Sequence, residues 1–134
     1  MTKFTQHRIA TVVLAPVAAL LGWAAIRLLG IDLLVSTGDG TVGPADVVVA
    51  ALAAALGGWF VVRLLERRTA HPRGWWAFIG STALSVSIIG PSYFADGVSA
   101  VALIALHFLV AIVVITGFAS TLPARCLPCA DPAR

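Results

Sequence analysis

Charge is scarce in this chain of 134 residues: Asp and Glu together number 6, Lys and Arg 9, and charged residues make up only 11%. Soluble domains carry ~25%. With 60% of residues hydrophobic and a mean hydropathy of +0.99, a water-soluble globule of this size could not hide its apolar surface. Enzyme signatures are missing as well. No phosphate loop, nucleophile elbow, HExxH helix or carboxylate pair occurs, so no catalytic residues are assigned and the chain reads as a non-enzyme that needs no cofactor. Cysteine is confined to Cys126 and Cys129, half of a four-ligand set. Aromatic residues do not alternate with basic ones, which argues against nucleic acid as a partner despite the net charge of +3.

What the chain does have is long apolar runs. Four stand out, at 9–29, 45–65, 75–90 and 98–119. The last holds no Asp, Glu, Lys or Arg and one titratable side chain, His107. As a helix of 22 residues it would rise ~33 Å, enough to cross a ~30 Å hydrocarbon core. The third run is short at ~24 Å, so its helix is expected to continue past Pro91 to about residue 93, with a kink at Gly90-Pro91. The N-terminal run resembles a secretory signal but continues to Ile26, beyond the ~7–15 apolar residues of such a signal, and reads as an uncleaved span. Turn chemistry at Gly38-Asp39-Gly40 marks the first connection, and Pro44 suits the first position of the second helix.

Basic residues give the orientation. Lys3 and Arg8 precede the first run, Arg63, Arg67, Arg68 and Arg73 surround the second connection, and Arg125 and Arg134 follow the fourth run. Arg27 alone falls on the opposite side. The positive-inside rule then places both termini in the cytoplasm, with the chain multi-pass in the membrane. Trp75 and Trp76 are expected at the inner boundary of the third span, and Tyr93 and Phe94 at its outer one. Glu66, three residues from Arg63, reads as a surface ion pair with it.

Small residues set the expected packing, because lipid gives helices no hydrophobic drive to associate. Ala15, Ala18, Ala19 and Gly22 on the first helix are expected to meet Ala50, Ala54 and Gly58 on the second, with Ala53 and Gly57 beside them. Ala100 and Ala111 share the face of His107, which turns the imidazole toward the bundle. By depth, His107 matches Thr82, with Ser81 and Ser85 nearby, so these four are the ligand or proton-relay candidates. The simpler role is a hydrogen bond joining two helices, and the hydroxyls could equally bond to their own helix. Arg27 and Asp46 are outer-face charge candidates, with Arg27 reaching the headgroups beside Asp32 or Asp46. Cys126 and Cys129 form a Cys-x-x-Cys pair in the tail, a weak metal candidate that reads most simply as free thiols.

Gly58-Trp59, Leu65-Glu66-Arg67, Ser87-Ile88-Ile89-Gly90-Pro91 and Leu106-His107 together resemble a family of small four-span membrane proteins of unknown function from high-GC Gram-positive bacteria. The resemblance covers residues 44–123. It implies four spans, singles out His107 and the Gly-Pro corner, and implies no activity. The fold expected is therefore all-α, a single domain forming a transmembrane four-helix bundle of two helical hairpins, with spans near 9–29, 45–65, 75–93 and 98–119 and a flexible cytoplasmic tail at 120–134. Its partners are expected to be the lipid bilayer and further copies of itself or a larger membrane protein. The function expected is a non-enzymatic membrane component acting through helix–helix association, the alternative being a small oligomeric transporter or channel that uses the intramembrane histidine.

Overall fold

A computed structural model of the chain describes residues 3–33, 41–95 and 97–122. The turn at Gly38-Asp39-Gly40, the pair Cys126 and Cys129, Asp96, Arg125 and Arg134 lie outside the described residues. Four helices account for most of the rest: α1 (Lys3–Leu28), α2 (Pro44–Arg68), α3 (Pro72–Phe94) and α4 (Gly97–Ala119). Each is longer than its apolar run, because main-chain hydrogen bonding continues through polar ends. Pro44 and Pro72 open α2 and α3, where a missing N–H costs nothing. The Asp46 carboxylate accepts the Gly43 N–H at 2.9 Å and so caps α2. At the end of α1, Gly30 takes φ +75°, letting Gly30 donate to the Arg27 carbonyl and Ile31 to the Ile26 carbonyl, the Schellman arrangement. As expected, α3 runs through Pro91 to Phe94.

The helices form an up-and-down bundle opened along one seam. α1 packs on α2 and on α4, α3 packs on α4, and α1 and α3 do not meet. Close approach is built from glycines, but not in the expected pairing. Ala15 and Ala19 are buried on α1, yet Gly22 lies against Leu106 and Leu109 of α4. Gly117 of α4 lies against Thr11 of α1, and Gly80 of α3 against Ile115 of α4. On α2 the inward face is Ala51, Ala55 and Val62, while Gly58 meets Trp76, Val114 and Phe118. The row Ala50, Ala54, Gly57 is thus left out of the α1 contact. A helix with small residues on three faces does not reveal from its sequence which face a neighbour takes.

Two buried clusters hold the bundle. At the end where α2 meets α3, Ala15, Ala55, Val62, Leu65, Trp76, Val114 and Phe118 pack together. Near the start of α3, Trp76 turns inward: its ring stands edge-on to Phe118, centroids 5.7 Å apart, and its Nε1–H donates to the Ile115 carbonyl at 3.0 Å. Trp76→Phe keeps the ring contact and loses the bond, and should cost ~0.5–1.5 kcal/mol in a denaturant titration of the micelle-bound protein. At the other end the segment after α1 folds over the bundle. Leu33 is buried with Ala95, Ala102, Leu103 and Leu106. The Val42 N–H donates to the Leu33 carbonyl, and the Trp23 indole donates to the Val42 carbonyl at 3.0 Å.

Outward, the surface is apolar. Leu21, Phe60, Phe78, Val101 and Ile112 are all more than half exposed. A continuous apolar girdle of this kind is what acyl chains, not water, would cover. Among the described residues, three helices are long and apolar enough to cross a membrane: α1, α2 and α4. α3 is as long as α4, but Gly74, Gly80, Gly90 and its serines lower its hydropathy.

Candidate functional site

Along the open seam, α2, α3 and α4 line a cleft of about 570 Å³. Its α2 wall carries the unused row Ala50, Ala54, Gly57, its α3 wall carries Gly80, Ala83 and Ser87, and its floor on α4 carries Leu103, His107, Val110 and Ala111. Trp76 closes one end and Asp46 stands at the other. Small side chains on both walls are what keep the space empty.

Register decides what faces what. α3 and α4 are antiparallel, with the Trp76 ring edge-on to that of Phe118. Eleven residues forward on α3 and eleven back on α4 bring Ser87 level with His107. Arg8 joins Glu66 on α2 to Thr121, two residues past the end of α4, so those two residues stand level. Fourteen residues back on both parallel helices, Leu52 is level with His107, and Ala50 and Ala54 flank it by about half a turn. The cleft is therefore narrow-walled and polar at one depth, that of His107 and Ser87.

At that depth the hydrogen bonding is incomplete. His107 Nδ1 lies 2.7 Å from the Leu103 carbonyl, which can only accept, so Nδ1 carries the proton. In the neutral ring the lone pair is then on Nε2, which has no partner among the described residues. Every buried side-chain polar atom among the described residues is hydrogen-bonded, so an unpartnered Nε2 on this half-buried residue remains reachable from outside. The exposed Ser87 hydroxyl has no partner among the described residues either, and Pro91, which has no N–H, leaves the Ser87 carbonyl without its ordinary i+4 donor.

Of the residues picked from sequence, the structure does not bring Ser81, Thr82 and Ser85 to His107. Thr82 donates to the Phe78 carbonyl and Ser85 to the Ser81 carbonyl, both on α3, and all three side chains are exposed. Depth counted from Gly90 had paired Thr82 with His107. Because α3 continues to Phe94, the match moves by more than a turn, to Ser87. Arg27 pairs with Asp32 and lies 6.0 Å over the Trp23 ring, while Asp46 is taken by its cap. Among the described residues no group of three or more His, Cys, Asp or Glu is placed to hold a metal.

A second polar group, which sequence reading missed, ties the opposite end. Arg8 is buried, gives both terminal nitrogens to the Glu66 carboxylate, and donates from Nε to the Thr121 hydroxyl at 3.2 Å. Glu66 is thus held by a residue 58 positions away, not by Arg63. The signal was available: in an antiparallel α1–α2 hairpin, the start of one helix stands beside the end of the next.

Comparison with curated proteins and with solved structures finds no match in either. A family model does match, over residues 1–124, a wider stretch than the motifs alone had covered. The chain belongs to that family, DUF6069, a family of unknown function.

Proposed function

We propose that this protein is a four-span component of the bacterial cytoplasmic membrane, with both termini inside, that works without catalysis by holding a membrane-embedded guest in the α2–α3–α4 cleft. The cleft itself carries this reading. An empty groove walled by Ala50, Ala54 and Gly57, in a bundle that packs tightly elsewhere, is kept open by residues chosen small. Four crossings are supported by α3, which lies antiparallel along α4 from Trp76 to Ser87 despite its lower hydropathy. The exposed Arg67, Arg68 and Arg73 around the α2–α3 connection support the orientation.

Filling the cleft is the test. Ala54→Leu and Gly57→Leu place side chains into open space, with no atom near a Cβ at Gly57, so both variants should insert and fold as wild type does. Mass spectrometry of protein extracted in native lipid should then show a guest on wild type that is lost from both. The same guest on all three would remove the cleft from consideration. A second reading, transport by an assembly of copies, is favoured by the accessible Nε2 of His107. It requires that His107→Ala abolish flux through reconstituted vesicles while the protein stays folded.

A further inference from the structure

We propose that the guest is a single apolar chain ending in a hydroxyl, an acyl or isoprenoid alcohol, seated with that hydroxyl on His107 Nε2. This deepens the cleft reading and rests on it. Shape and lining select the chain. From Asp46 to Val61 the α2 wall runs ~22 Å, and along it Ala50, Ala54 and Gly57 on α2 face Ile79, Ala83 and Leu84 on α3, an elongated apolar trough that suits a hydrocarbon chain laid lengthwise. The volume also falls inside the ~300–1,000 Å³ of small-molecule sites, which are apolar with a few placed polar groups.

Chemistry selects the head. At the polar depth the cleft offers one acceptor, the Nε2 lone pair of His107, and one hydroxyl, on Ser87, able to donate or accept. A ligand bringing a donor satisfies His107, while an ether or a plain hydrocarbon leaves it without a bond in a low-dielectric site. Nδ1 is fixed on the Leu103 carbonyl, so the ring is already oriented for this contact. A phosphate or carboxylate head finds no Lys or Arg on the cleft walls and would meet Asp46 at the mouth.

The experiment uses the full chain in phosphatidylcholine nanodiscs and three photoreactive probes: a sixteen-carbon alcohol with a mid-chain diazirine, its methyl ether, and the matching alkane. Labelling of wild type should fall on the α2, α3 and α4 peptides that line the cleft, with the alcohol ahead of the ether by about fivefold, the worth of one hydrogen bond. His107→Leu should erase that preference and leave alkane labelling unchanged, and His107→Gln, which keeps an acceptor, should restore part of it. Competition by farnesol against diacylglycerol separates isoprenoid from acyl sources. Equal labelling by alcohol and ether, or labelling spread evenly over the outer face of α1, overturns the proposal, as does a protein helix cross-linked into the cleft. Ala54→Cys, in a chain with Cys126→Ser and Cys129→Ser, reports separately on the cleft: failure to react with a lipid-soluble maleimide sinks the cleft itself, whereas reaction without alcohol preference sinks only the ligand class.

Discussion

Glu66→Ala should be among the most damaging single changes in this protein, costing ~3–5 kcal/mol, the range for breaking a buried ion pair by removing one partner. The loss exceeds that of a surface pair because of where the survivor is left. The Arg8 side chain is 9% exposed and the Glu66 side chain 30%. Without the carboxylate, the guanidinium keeps the Thr121 hydroxyl as its one hydrogen-bond partner among the described residues. Arg8→Ala leaves the more exposed partner, which can hydrate, so its cost should be smaller, ~1–3 kcal/mol. Arg8→Leu combined with Glu66→Leu should recover much of the loss, since an apolar pair of similar volume is often neutral. Denaturant titration of the four micelle-bound proteins gives the double-mutant cycle. Equal, small losses for both single variants would mean that water already solvates the junction.

Four helices, the passage of α3 through Pro91, the opening proline of α2 and the Arg27–Asp32 pair were all legible, because each depends on residues close in sequence or on run length. What escaped depends on register between distant helices. Glu66 was matched to Arg63 by a local spacing rule, while its partner comes from α1. His107 was matched to Thr82 by counting depth from Gly90, the end of the apolar run, and not from the helix end at Phe94. The cleft escaped for another reason. Ala50, Ala54 and Gly57 look like an association face in sequence, and the same residues line an opening when Ala15 of the neighbouring helix packs with Ala55 instead. Smallness permits close approach without compelling it, and only the placement of α1 and α3 decides between a packed notch and a void.

That distinction between glycines that are packed and glycines that are open makes the last prediction. A Cβ added at Gly117 would stand 2.6 Å from both Cγ2 and Oγ1 of Thr11, and that threonine is buried with its hydroxyl bonded to the His7 carbonyl at 3.0 Å. Thr11 has one χ angle and little room to move, so α1 and α4 must separate. Gly117→Ala should therefore cost ~1–3 kcal/mol as overpacking, even after the ~1 kcal/mol that alanine gains over glycine in a helix. At Gly22 the atoms met at 2.8 Å are the Cδ2 tips of Leu106 and Leu109, which can rotate aside, and Gly22→Ala should cost markedly less. Gly57→Ala meets nothing and should gain stability by up to ~1 kcal/mol. Thr11→Ala removes the colliding atoms, so Gly117→Ala with Thr11→Ala should be more stable than Gly117→Ala alone. The order Gly57, Gly22, Gly117 from gain to loss, read from unfolding midpoints in one detergent, tests the α1–α4 contact directly, and an inverted order would mean those two helices do not meet at Gly117.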